Sequence, residues 1–212
     1  MTSPLIVLGG GGHAKVLMEI LVQQSRTLLG YTTDGGETIP QEFLGVRWMG
    51  TDDVVTGYPP AEVELVNGVG STGLPDARMG LYQKFRSKGY RFATVVHPSA
   101  VVSPSAVLGQ GAQVFAGAVV QTGVVLGNNV IVNTRASVDH DCVVADHVHI
   151  APGVTICGGV RIGEATHIGV GATVVQGVTV GRRCVIGAGA LVLKDVPDGS
   201  LVIGVPGRRV SQ

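Results

Sequence analysis

The 212-residue chain carries no net charge, only 14% charged residues and 33 glycines. No basic stripe points to nucleic acid, no polybasic or amphipathic segment points to a membrane surface, and its glycine-punctuated apolar runs are too short to span a bilayer. Cys142, Cys157 and Cys184 have the spacing of neither a disulfide framework nor a zinc knuckle, and Cys142 and Cys184 read as core filler.

The length leaves room for one or two domains. The start, Met1-Thr2-Ser3-Pro4, lacks the basic region of a signal peptide, so a cytoplasmic protein is expected. Pro4 to Leu8 is a short apolar run ending in Gly9-Gly10-Gly11-Gly12-His13, and Ala14 to Leu21 follows as a helical stretch. Strand, glycine turn and helix in this order let a backbone approach a pyrophosphate, although such turns also serve packing alone. A second strand is expected from Leu28 to Thr33, ending at Asp34-Gly35-Gly36, and a third from Val63 to Val66, ending at Asn67-Gly68-Val69-Gly70-Ser71. Pro75 to Lys88 reads as a helix with Ala77, Leu81 and Phe85 four apart on one face, and Phe92 to Val96 as a last strand. Strands alternating with helices predict a small Rossmann-like α/β domain over residues 1–95. Ligands of such sheets sit beyond the strand carboxyl ends, which selects Gly11, Gly12, His13, Asp34 and Gly70. The alternative is a packing domain that caps the next segment.

From Val96 onward the chain repeats every six residues. Stepping by six from Val96 to Val192 meets an aliphatic residue seventeen times, and the residue four further on is always small, down to Val196. A period of 3.6 cannot produce this pattern. The small residue and the next aliphatic lie two apart and face inward together on a short strand, so the two positions between an aliphatic and its small residue turn the corner. Pro98, Pro104 and Pro152 occupy first corner positions, and eight of seventeen second corner positions are Gly, with Asn129, Asp141 and Asp195 among the rest. Those residue types tolerate positive φ. Three strands and three corners close an eighteen-residue triangular coil, so residues 96–212 are expected to form a parallel β-helix.

Inside this frame, His140 falls on a corner beside Asp141, and stacking by eighteen sets Gly158-Gly159 next to it. A corner histidine near an acid and an empty ledge suits a general base, with a Gly158 N–H as oxyanion donor; a solvated surface histidine fits the same spacing. His149 and His167 stack at outward strand positions, while His147 and His97 read as structural. Outward Val107, Val125 and Val143 line one face, and Ile131 and Val185 share the face of His149; apolar strips of this kind usually mark interfaces.

The order GGGGHAKV, a short α/β domain, ATVVHPSAVVSPSA and hexads carrying VNTRASVDHDC resembles the sialic-acid and nucleotide-amino-sugar acyltransferases, which include bacillosamine-pathway and perosamine N-acetyltransferases. The resemblance spans essentially the whole chain. It implies a left-handed β-helix, a homotrimer, acetyl-CoA bound between subunits without a metal, and a nucleotide-linked amino sugar on the N-terminal domain, in bacterial surface-glycan biosynthesis. It implies sugar-nucleotide contacts at Gly11, Gly12, His13, Thr33, Asp34 and Gly70, a base at His140 tuned by Asp141, and coenzyme contacts at His149, Val170 and Ala188. The tail Gly204-Val205-Pro206-Gly207-Arg208 resembles the family's Gly-x-Pro-Ala-Lys ending, with basic side chains placed to meet phosphate.

These features predict N-acetylation of a nucleotide-linked 4-amino sugar. O-acetylation of a sialic acid or related sugar is the nearest alternative. Zinc hydration chemistry through His140, His147 and His149, as in β-helix carbonic anhydrases, and a non-catalytic scaffold are more remote.

Overall fold

The computed structural model describes residues 3–34 and 41–210. Met1-Thr2 and the Gly35-Gly36 turn lie outside them. The N-terminal part is an α/β unit: β1 (Leu5–Leu8), α1 (Gly12–Gln23), β2 (Leu28–Thr32), β3 (Glu42–Phe43), β4 (Val46–Gly50), β5 (Glu64–Asn67), α2 (Asp76–Arg86) and β6 (Arg91–Phe92). The strands form one sheet in the order β3-β4-β2-β1-β5-β6, parallel except for the β3–β4 pair. β1 lies inside the sheet and is buried throughout, which its unbroken Leu-Ile-Val-Leu run explains. In α1, Ala14, Leu17, Met18 and Leu21 make the buried stripe.

Two expectations change here. The β3–β4 hairpin and the 3-10 turn after it, Asp52–Gly57, were not visible as apolar periodicity. The fully buried residues of α2 are Arg78, Tyr82 and Phe85; Leu81 is partly buried against the same core, and with exposed Ala77 it also lines a cavity. A buried arginine cannot announce itself in a pattern built on apolar residues.

From Val95–Val96 onward, two-residue strands pair in parallel with the strand eighteen residues later, as in Gln113–Val114 with Ile131–Val132. Three sheets result, enclosing a column that includes Val114, Val120, Leu126, Val138, Ile150 and Ile168, each at most 1% exposed. Each such side chain contributes roughly 1.5–3 kcal/mol on burial. The first coil, with Val96, Val102 and Leu108, is only partly buried.

From Gly111 to Gly189 the second corner positions adopt the left-handed conformation even where they are not Gly; Ser99, Ser105 and Asp195 do not. Asn129, Arg135, Asp141, His147, Ala165 and Arg183 have φ between 51° and 63°. This costs an L-residue roughly 1–2 kcal/mol. A hydrogen bond to the coil before offsets it, as from Asp141 N–H to Thr122 O (3.1 Å) and Arg135 N–H to Ala116 O (3.0 Å).

The repeat does slip once. Val196 bridges to Val180, and Leu201 pairs with Val185, sixteen residues apart by number. The coil after Val192 is two residues short, so Val196 does not stack over Val178, and Asp195 is not among the left-handed corners. Asp195 Oδ1 accepts the Thr179 N–H (2.8 Å) and Asp198 Oδ1 the Arg182 N–H (2.8 Å), closing the shortened turn.

The α/β unit does not cap the end of the column. It lies against one side face, where Phe115 and Ile131 join Leu5, Val7, Ala14 and Leu17 in a shared core. Ile131 is thus covered by its own chain, whereas Val107 is 58% and Val125 40% exposed.

Candidate active site

His140 stands on the corner between strands Ser137–Val138 and Val143–Val144. Its backbone N–H donates to Asp139 Oδ1 (2.7 Å) and its ring Nδ1 lies 2.9 Å from Asp141 Oδ2. A carboxylate only accepts, so Nδ1 carries the proton and the neutral ring keeps its lone pair on Nε2. The hydrogen bond to Asp141 holds the imidazole pKa above its ordinary value, against desolvation and with smaller help from the charges of Asp139 and Asp141. The left-handed φ of Asp141 aims this carboxylate back along the corner, over Gly123, where a Cβ would meet Asp141 Oδ1 at 2.6 Å.

On the other side the ring rests on Gly158. A Cβ there would stand 2.5 Å from Nε2 and 2.6 Å from Cε1. Gly159 N–H donates to His140 O (2.8 Å), fixing the two coils together. Among the described residues no hydrogen bond engages the Gly158 N–H. No backbone carbonyl takes the N–H at first corner positions; side-chain oxygens take it at His140, Thr134 and Arg182, and Pro98, Pro104 and Pro152 are accommodated there because no ladder bond is lost.

In the α/β unit a cavity of about 420 Å³ opens at the carboxyl ends of β1 and β2. Gly9, Gly10, Thr33, Asp34, Asp52 and Lys84 contribute to it. Asp52 is buried, accepts a 2.5 Å hydrogen bond from Thr32 Oγ1, and has its pKa raised by burial. Of the expected sugar-nucleotide residues, Thr33 and Asp34 line this cavity. Gly11 and Gly12 are exposed at the start of α1, with nothing within 4 Å of a Cβ at either. His13 turns to the β-helix: Nε2 is 2.8 Å from Gln113 Oε1 and the ring packs 5.1 Å from Phe115. Gly70 packs against His13. Asp52 escaped the sequence reading because the hairpin that leads into it was not recognised; Lys84 lies on the expected helix α2, where the apolar pattern did not select it.

His149 is outward on the β-helix yet only 5% exposed, because the β5–α2 loop covers it. Its ring meets Ser71 Oγ (2.9 Å) and Asn133 Nδ2 (3.1 Å), and crosses His167 edge-on at 5.0 Å. Burial lowers its pKa to about 3, and that of His13 to about 4. Beside it, buried Arg78 donates to Asn67 O (2.9 Å) and Val69 O (2.7 Å), and Asn67 Nδ2 to Asn129 Oδ1 (3.2 Å). Val170 and Ala188 are exposed on one edge of the prism, joined by Gly189 N–H to Val170 O (2.8 Å). That edge follows the His149 face; the edge of His140 follows the next one. One chain therefore does not bring His140 together with Val170 and Ala188. His140, His147 and His149 are likewise apart, and no three His, Cys, Asp or Glu among the described residues could hold a metal ion. The tail folds back as an antiparallel strand, Arg208–Val210 on Leu201–Ile203, beside a cavity of about 510 Å³ that includes Lys194, Arg208 and Arg209.

The family described as "Bacterial transferase hexapeptide (six repeats)" matches residues 159–194. No curated protein sequence matches the chain. Among solved structures, the acetyltransferase domain of PglB from Neisseria gonorrhoeae FA1090 in complex with acetyl coenzyme A is 38% identical, with 99% of this chain and 100% of that one covered and a TM-score of 0.90. A histidine-to-alanine mutant of GDP-perosamine N-acetyl transferase from Caulobacter crescentus, in complex with CoA and GDP-perosamine, is 36% identical over 100% of this chain and 99% of that one, with a TM-score of 0.90. WeeI from Acinetobacter baumannii AYE shares the fold at 24% identity and a TM-score of 0.86, covering 99% and 100% of the two chains. Identity above 30% across the whole length, on a left-handed β-helix built from hexads, places the chain in the hexapeptide-repeat acyltransferase family, of the bacillosamine and perosamine N-acetyltransferase type.

Proposed function

We propose that the protein transfers the acetyl group of acetyl-CoA to the amine of a nucleotide-linked 4-amino sugar, in surface-glycan biosynthesis, with His140 as general base. The observation that carries this reading is the His140–Asp141 pair resting on Gly158. Neutral His140 offers the lone pair of Nε2. As the amine nitrogen bonds to the thioester carbonyl carbon, Nε2 takes the proton the nitrogen must lose. Asp141 stabilises the imidazolium, and the Gly158 N–H stabilises negative charge on the carbonyl oxygen. The C–S bond then breaks, and the proton passes from His140 to the departing thiolate.

Residues 1–95 act as the Rossmann-like sugar-nucleotide domain and 96–212 as the acyltransferase domain. The nucleotide occupies the 420 Å³ cavity, held at Thr33 and Asp34, and extends to Gly11 and Gly12 at the start of α1 and to the packed pair of His13 and Gly70. The coenzyme follows the edge of Val170 and Ala188 beneath His149. Since that edge and the edge of His140 differ within a chain, a complete site needs the two edges from different subunits, and the exposed strip of Val107 and Val125 supports a homotrimer. Thiol release from acetyl-CoA with GDP-, UDP- and dTDP-linked 4-amino sugars, and with sialic acid, tests the reading. Acetylation of sialic acid alone, or of none of them, overturns it.

A further inference from the structure

The hydrogen bonds around His149 run in one direction. Asn133 Oδ1 accepts the Thr134 N–H (2.8 Å), so the amide's Nδ2 is the atom that faces His149 Nε2 at 3.1 Å. Nδ2 can only donate, so Nε2 accepts. The proton of the neutral ring then lies on Nδ1 and is donated to Ser71 Oγ, 2.9 Å away. Both ring nitrogens are spent within the chain, and the ring is 5% exposed.

The two ends of this line belong to different places. Ser71 sits in the β5–α2 loop, between Val69 and Asp76, both of which line the 420 Å³ cavity. Thr134 is a first corner residue, and Gly153 N–H donates to its carbonyl (3.0 Å), Gly171 N–H to Pro152 O (3.0 Å) and Gly189 N–H to Val170 O (2.8 Å). This is the edge that carries Val170 and Ala188.

We propose that Ser71 and Asn133 are positioning residues which act through His149, and that the line Ser71–His149–Asn133–Thr134 couples the nucleotide cavity to the coenzyme edge of the same chain. A nucleotide that touches Val69 and Asp76 sets the loop, the loop sets Ser71, and the ring transmits that position to the corner at Thr134. His149 thereby contributes to coenzyme binding by orientation, without donating a ring N–H to it. This rests on the assignment of the cavity and the edge made above. Coupling is reciprocal, so nucleotide tightens coenzyme by the factor by which coenzyme tightens nucleotide.

Two measurements on the full chain test it. Titration calorimetry with CoA, with and without saturating GDP or UDP, should show a Kd lowered roughly fivefold or more by whichever nucleotide binds. In Ser71→Ala that ratio should fall to about one, and Ser71→Thr, which keeps a hydroxyl, should retain it. Nitrogen-15 spectra of the histidines should show His149 neutral and protonated on Nδ1 at neutral pH in wild type and Ser71→Thr. A wild-type ratio of one, an undiminished ratio in Ser71→Ala, or a proton on Nε2 overturns the coupling. Failure of wild type to bind CoA at all instead overturns the transferase reading, and the coupling with it.

Discussion

The imidazole of His140 and the backbone of Gly158 are in contact across two coils, and the space a Cβ would take at Gly158 is already filled by Nε2 and Cε1. Glycine here is a steric requirement. Gly158 is not at a left-handed φ, so alanine is allowed by its backbone and forbidden only by the ring.

Gly158→Ala should therefore displace His140 and leave the fold intact. We expect kcat to fall by roughly 10²-fold, in keeping with misplacement of a reacting group by about 1 Å, with the Tm within about 2 °C of wild type. A steady-state assay beside a melting curve checks this. A normal kcat would separate the ledge from catalysis.

The pH dependence of kcat should report the His140–Asp141 pair. The base works unprotonated, and the hydrogen bond to Asp141 holds its pKa above 6.5, so kcat should rise with pH through a midpoint above that value. Asp141→Asn removes the charge and should move the limb down in pH while lowering kcat. His140→Ala should lower kcat by roughly 10²–10⁴-fold and abolish the limb. An unchanged limb in His140→Ala would assign the base elsewhere.

Acid should loosen the join between the α/β unit and the β-helix. Imidazoles of the unfolded chain titrate near 6.5, whereas His13 and His149 do so at about 4 and about 3 when folded. Below 6.5 the unfolded chain binds protons that the folded chain refuses, so stability falls as pH drops towards those values. His147 and His167, also lowered by burial, add to the slope. The Tm measured from pH 7 to pH 4 should decline, and less steeply in His13→Gln. A flat wild-type profile would contradict the buried neutral rings.

The column itself is tested by Val138→Asp. Val138 is fully buried, and an unpaired carboxylate there costs several kcal/mol. Loss of cooperative melting is expected; an unchanged Tm would refute the inward assignment.

What the sequence determined by itself is whatever repeats locally. The six-residue period specified the inward column, the corners and the stacking of Gly158 beside His140, because each coil contacts only its neighbours and, up to Val192, eighteen residues return to the same edge. The strand–glycine–helix start of the α/β unit was legible for a similar reason: β1 and α1 are continuous and strongly patterned.

Tertiary structure decided the rest, where distant segments compete for one surface. Ile131 and His149 look outward by the repeat, yet the α/β unit buries both, and nothing in the hexads encodes which face it selects. His13 leaves the glycine turn for Gln113, one hundred residues away, and Arg78 replaces an apolar residue on the buried side of α2 because three backbone carbonyls await it. The slip after Val192 is of the same kind: Asp195 and Asp198 cap amides sixteen residues earlier, a pairing that becomes visible only once the coils are stacked.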